Sequence, residues 1–228
     1  MIDDRAAPGG TDGDDPRPRP PAGPAPARLD PGPYGPWARH TLLATDIVGF
    51  GARHRDDRIA LHLRRAMYTA LAEALAMTGL ILADCHHEDR GDGALVVAPA
   101  AWPAALLLDP LAHHLTASLR ALNALAGDAA RLRLRVAVHA GLVQRDQHGL
   151  AGRALVDLFR LLEAPAFKEA IAASPADLGV AVSDEFYTET VRSGLVNRAA
   201  YSPLPVVLKE ARATARVWFP PRYGPGRR

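Results

Sequence analysis

The stretch Thr41-Leu42-Leu43-Ala44-Thr45-Asp46-Ile47-Val48-Gly49-Phe50-Gly51 decides how the rest of the chain is read. Its first seven residues are a short apolar, β-compatible run with one carboxylate near the end. Glycines follow at once, which predicts a buried strand running into a glycine loop. A helix is expected next. From about Asp57 to Met77, apolar residues recur at Ile59, Leu63, Ala66, Met67, Ala70, Leu71, Ala74 and Leu75, the spacing of one helix face, and Gly79 stops the run. Such a helix is about 30 Å long.

Further along, Leu80-Ile81-Leu82 and Ala94-Leu95-Val96-Val97 flank a polar turn holding Gly91-Asp92-Gly93, which reads as a hairpin with a carboxylate at its tip. Pro99 and Pro103 break the chain, and Leu106 to Leu125 reads as a second helix. Leu132, Leu134, Val136 and Val138 alternate with Arg131, Arg133, Arg135 and His139, a half-buried strand that Gly141 ends. Residues 152 to 172 look helical with an interruption at Pro165, and Leu178 to Val182 looks like a strand. Ser183-Asp184-Glu185 caps a short helix to about Val191. Strands over about Val206 to Leu208 and Thr214 to Phe219 complete the pattern. The order of elements predicts an α+β fold: a ferredoxin-like α/β sandwich with helices packed on a mainly antiparallel sheet.

Residues 1–36 carry ten of the twenty prolines and almost no bulky apolar side chains. That composition cannot offset its ordering entropy, so a disordered Pro-rich tail is expected there. One domain over residues 40–219 and a flexible C-terminus over 220–228 make up the remainder. The chain of 228 residues is 48% hydrophobic and 23% charged, and its 27 basic residues are interleaved with 25 acidic ones for a net charge of +2. No basic block recommends nucleic acid as a partner. No apolar run approaches the roughly 18 residues of a membrane span. The lone Cys85 excludes an internal disulfide, so a soluble, cytoplasmic protein is expected.

Asp46 at the end of its strand and Asp92 at the hairpin tip can together hold one or two hard cations. Magnesium accepts a few carboxylate oxygens and takes its remaining ligands from water and phosphate. Each aspartate can equally serve only its own turn, since Asp-Gly turns are common. The loop Val48-Gly49-Phe50, between strand and helix, offers backbone N–H groups to phosphate oxygens. It lacks the lysine of a Walker A loop.

Thr45-Asp46-Ile47-Val48-Gly49-Phe50, then Arg90-Gly91-Asp92-Gly93, then Arg135-Val136-Ala137-Val138-His139-Ala140-Gly141 occur in one order. In that combination the chain resembles the catalytic domain of class III adenylate and guanylate (nucleotidyl) cyclases. The resemblance continues from Gly152 to Leu162 and reaches Lys209, covering roughly residues 40 to 219. It implies conversion of a nucleoside triphosphate to a 3′,5′-cyclic nucleotide with two Mg2+ or Mn2+ ions per site, held by Asp46, Asp92 and the Ile47 carbonyl. It further implies a homodimer with shared active sites, in which Arg160 and Lys209 come from the second protomer to the transition-state charge and the terminal phosphates. Glu88, three residues before Gly91, falls where the family contacts the base, and a carboxylate there suits the guanine N1–H and 2-amino donors.

Two positions depart from the family pattern. Val156 stands where an asparagine commonly precedes the arginine by four residues, and Asp157 beside it is turned by about 100° on a helix. The second base-contacting position falls near Gly149, which has no side chain. These departures favour an alternative role, a catalytically impaired homologue that senses nucleotides or binds another protein. His86-His87-Glu88-Asp89 lacks the second histidine cluster of a zinc site. His139 is expected to be structural, and no nucleophile elbow supports a Ser-His-Asp triad.

Overall fold

A computed structural model of the chain describes residues 36–208 and 211–221. Lys209, nearly all of the tail expected over 1–36 and most of the end expected over 220–228 lie outside the described residues. The strands are β1 (Ala38–Ile47), β2 (His86–Asp89), β3 (Gly93–Val97), β4 (Leu134–Asp146), β5 (Gly149–Ala151), β6 (Leu178–Ser183), β7 (Ser202–Leu208) and β8 (Ala211–Trp218). The helices are α1 (Asp57–Met77), α2 (Leu111–Asn123), α3 (Arg153–Glu163), α4 (Pro165–Ala173) and α5 (Asp184–Val191). Sheet order is β2-β3-β1-β4-β6-β8-β7, with β5 on β4. Among the described residues, β4 with β6 is the one parallel strand pair. The fold is therefore the mainly antiparallel α+β arrangement expected.

Both sheet faces are covered, which explains why β1 reads as a nearly continuous apolar run. Leu43 and Ile47 enter the core built with α1, α2 and α5, whereas Leu42 and Ala44 face α3 and α4. Helix α1 is capped by Asp56, whose side chain accepts from the Ile59 amide at 2.9 Å, a cap worth about 1 kcal/mol. Its buried stripe of Leu63, Met67, Leu71 and Leu75 follows the helical repeat, each large side chain contributing about 1.5–3 kcal/mol by leaving water. The break at Pro165 also falls as expected, with Pro165 opening α4 where its missing N–H costs nothing.

The structure corrects four element boundaries. The strand opposite β3 is not Leu80-Ile81-Leu82 but the polar His86–Asp89, because β2 lies at the sheet edge, where only half of its side chains need a neighbour. Leu80 fills the core from a loop instead. The second helix starts at Leu111 rather than Leu106, since Pro110 can serve as its N-cap but cannot donate within it. Strand β4 continues past Gly141 to Asp146, because β1 also begins earlier and pairs Ala38 with Val143. Gly141 is needed for close packing rather than for a turn: a Cβ there would lie 2.6 Å from the Ala154 Cβ of α3. Finally, β7 begins at Ser202 and includes Pro203 and Pro205, which an edge strand tolerates.

Gly93 fixes the spacing between β1 and β3. A Cβ at this position would lie 2.1 Å from the Thr45 carbonyl oxygen, a backbone atom that cannot rotate away. Gly93→Ala is expected to lower stability by about 1–3 kcal/mol, read as a lower urea midpoint. An unchanged midpoint would contradict the tight β1–β3 approach.

Candidate functional site

Asp46 sits at the carboxyl end of β1 on the α3 side of the sheet. Its Cα is in register with Gly93 on one side and Arg135 on the other. The residue is 6% exposed. Arg135 Nε donates to Asp46 Oδ1 at 2.9 Å, and Nη2 donates to Oδ2, so both carboxylate oxygens meet one planar fork. Thr45 Oγ1 donates to the Arg135 carbonyl at 2.9 Å, a second tie between this end of β1 and Arg135. Burial pushes the Asp46 carboxyl above its ordinary range, the two Arg135 bonds oppose that shift, and the charges of Glu163 and Asp92 reinforce it. Glu163, ending α3, places Oε1 3.6 Å from Arg135 Nη2 and is itself paired with Lys168 of α4.

Asp92 is exposed in the turn before β3. Its carbonyl accepts from the Ile47 amide at 2.9 Å, so the turn and the end of β1 hold each other. Two carboxylates are thereby brought to neighbouring strand ends. Among the described residues, no group of three or more His, Cys, Asp or Glu is placed to hold a metal ion; the histidines and acids of 86–89 make no such group either. The loop beyond Ile47 is well fixed. Val48 N donates to the Arg133 carbonyl at 2.9 Å, and Gly49 takes a φ of +67° that suits glycine. Arg55 Nη1 donates to the Val48 and Gly49 carbonyls at 2.9 and 3.0 Å, and Nη2 to the Arg131 carbonyl. The Val48 and Gly49 carbonyls are thus engaged, as are the Val48 amide and the Phe50 amide, which donates to the Ile47 carbonyl at 3.3 Å.

Glu88 projects from β2 to the α3 side, between Arg90 Nη2 at 2.6 Å and His86 Nε2 at 3.0 Å. The Arg90 guanidinium also lies 5.0 Å from the centre of the Phe159 ring. Arg145 Nη1 is 3.3 Å from His86 Nδ1, and a side chain at Gly149 would begin 3.7 Å from Glu88 Oε1. The two positions read from sequence as base-contacting, 88 and 149, are therefore neighbours. Asp89 turns the other way and serves α1: it accepts from Arg64 Nη2 at 2.5 Å, Tyr68 at 2.8 Å and the Gly91 amide at 2.8 Å.

Arg160 and Val156 lie on α3. Arg160 Nη1 donates to Asp157 Oδ1 at 3.2 Å, and Arg153 Nε reaches both oxygens of the same carboxylate at 3.0 Å. Within one chain, then, Arg160 is engaged by Asp157. Val156 is 44% exposed, so the missing amide leaves a surface position rather than a core one. His139 Nδ1 is 2.7 Å from Ser183 Oγ beside a cavity of about 260 Å3, and burial lowers the pKa of its imidazole. Sequence reading gave Arg135, Arg145 and Glu163 no role at the site. The alternation along β4 gave Arg135 a face, but only the register with β1 sets it opposite Asp46.

No family model and no curated protein matches the sequence. Solved structures do match. An adenylate/guanylate cyclase/hydrolase from Silicibacter pomeroyi aligns with 82% of this chain and 99% of its own, at 18% identity and a TM-score of 0.57. A double mutant of the guanylyl cyclase domain of the RhoGC fusion protein from the aquatic fungus Blastocladiella emersonii aligns over 81% of this chain and 97% of its own, at 13% identity and a TM-score of 0.51. A bacterial light-regulated adenylyl cyclase aligns over 79% of this chain and 52% of its own, at 11% identity and 0.56. The chain has the fold of adenylate and guanylate cyclase catalytic domains.

The hairpin that carries Asp92 is anchored to α1 by Asp89, whose pKa is lowered to about 2 by its hydrogen bonds from Arg64, the Gly91 amide and Tyr68. A depressed carboxylate adds stability that is present above the unfolded pKa of about 3.9 and is lost as pH falls towards about 2. Urea midpoints of wild type and Asp89→Asn are expected to differ at pH 5 and to converge over that acid window. The side chain is half exposed, so the gap is modest. Parallel curves throughout would remove Asp89 as the anchor.

Proposed function

We propose that this chain is a metal-dependent nucleotidyl cyclase that converts a nucleoside triphosphate to a 3′,5′-cyclic nucleotide and pyrophosphate, working as a homodimer with shared sites. The observation that carries the reading is the juxtaposition of Asp46, in register with Gly93, and Asp92 beside a glycine loop with fixed carbonyls. The donor set is all oxygen, namely two carboxylates and the Ile47 carbonyl, which fits Mg2+ or Mn2+ at two ions per site. Ions held by these oxygens would polarise the ribose 3′-hydroxyl and neutralise triphosphate charge. The ring closes when that oxygen bonds to the α-phosphorus and the bond to pyrophosphate breaks, the hydroxyl proton leaving to solvent.

The chain's own groups supply position. Val48, Gly49 and Phe50 present backbone to the phosphates at a strand-to-helix turn. Glu88, held between Arg90 and His86, accepts from base donors, and with glycine at position 149 the choice of base stays open. Arg160 and Lys209, both offered by the second chain, act on charge that develops on the phosphates. Incubating the purified chain with each of four nucleoside triphosphates and Mn2+ is expected to yield one cyclic product with pyrophosphate by mass spectrometry. Asp46→Asn and Arg160→Ala should each abolish it, and mixing the two variants should restore part of it. Failure of wild type to form any cyclic product would reject the enzyme reading, and activity in neither variant nor mixture would reject shared sites.

Val156 motivates the second reading, a sensor with the same fold. An amide donor to transition-state charge is worth about 2.7–4 kcal/mol, so wild type is expected to be slow. Because Val156 is a surface position, Val156→Asn should change stability by no more than about 0.5 kcal/mol while raising turnover more than triphosphate affinity. A stable Val156→Asn protein that binds metal-triphosphate without making product supports the sensor.

A further inference from the structure

We propose that Arg135 is an internal cation that holds Asp46 in the metal-free chain and passes to Glu163 when a divalent ion takes the Asp46 carboxylate. The inference rests on the reading of Asp46 as a metal ligand. It adds two residues, Arg135 and Glu163, whose positions govern how readily the ion binds.

Asp46 cannot stand alone where it is. Its side chain is 9% exposed, and Asp92 and Glu163 add like charge. A buried carboxylate in that field needs a counter-cation, and leaving one partner of such a pair unmatched is strongly destabilising. Arg135, 13% exposed, supplies the cation through one N–H to each oxygen. The fork points its two donors at the oxygens a metal needs at about 2.0–2.1 Å. A guanidinium and a divalent ion on one carboxylate repel each other, so binding of the ion requires Arg135 to find another acceptor.

That acceptor is already in place. Glu163 Oε1 lies 3.6 Å from Arg135 Nη2, within ion-pair reach, and Lys168 holds its other oxygen. Arg135 thus lies between two carboxylates, tightly bonded to one and adjacent to the other. A small rotation of its side chain exchanges them and leaves no charge unmatched once the metal sits on Asp46. Lysine in its place keeps the charge but lacks the planar fork that spans both oxygens.

The test is Mn2+ binding to the full chain without nucleotide, followed by the electron paramagnetic resonance of free Mn2+. Arg135→Lys is expected to bind Mn2+ about tenfold more tightly than wild type, equivalent to about 1.4 kcal/mol. Glu163→Gln is expected to bind more weakly. A double-mutant cycle separates transfer of Arg135 from the mere field of these charges. Transfer predicts that Glu163→Gln has no effect once Arg135→Gln is present, whereas a simple field predicts the same weakening in both backgrounds. If Arg135→Gln does not fold, Arg135→Lys decides alone, since a field effect leaves its affinity at the wild-type value. Wild-type binding that Arg135→Lys leaves unchanged overturns the proposal while sparing the metal site. Binding that survives Asp46→Asn at full strength, or is absent from wild type and Arg135→Lys alike, overturns the metal reading and the proposal together.

Discussion

Strand β1 is hydrogen-bonded on both sides and buried on both faces, so its residues are fixed by two registers and two cores at once. Slipping either register by one residue would exchange its two apolar sets between layers. Asp46 inherits this rigidity. Its carboxylate stands at the end of a strand paired on both sides, opposite a glycine and an arginine that matches its charge. The neighbouring turn is tied to β1 through the Asp92 carbonyl, so the spacing of the two aspartates follows from the sheet rather than from a loop of its own.

Arginines do much of the remaining fixing, and they do it on carbonyl oxygens. Arg55 ties the glycine loop to the segment before β4. Arg133 donates to the carbonyls of Ile171, Ser174 and Ala176 around the end of α4. A guanidinium has five donors in a rigid fork and remains weakly hydrated, which suits it to gathering backbone oxygens that no helix or strand satisfies. Arg55 and Arg133 are both half-buried, their guanidinium groups engaged by main-chain oxygens.

Much of the fold could be read from residues because local physics agreed with the tertiary result. The stripe of α1, the cap at Ser183 and the break at Pro165 each depend on a few neighbouring side chains. β2 was missed because an edge strand can be built from His86-His87-Glu88-Asp89, a run with no apolar alternation. Gly141 misled because a glycine needed for a close helix looks the same in sequence as one needed for a turn. At the site, Asp46 and Asp92 were visible as isolated carboxylates in suggestive local settings. Arg135, 89 residues from its partner, was not, since cross-strand register is a long-range property. The cluster of Glu88, His86 and Arg145 needed the β2–β3 hairpin and the extended β4 to be placed together.

The two ends of the sheet have a consequence of a different kind. β2 is four residues long and carries charge, and β7 has prolines at alternate positions 203 and 205. Alternate residues direct their main-chain groups to the same side, and β8 already occupies one side of β7. Pro203 and Pro205 therefore remove donors that a further strand would use, while the acidic and imidazole side chains of β2 discourage one at the other end. Main-chain pairing at both edges is thereby disfavoured, which turns association between molecules towards side-chain surfaces.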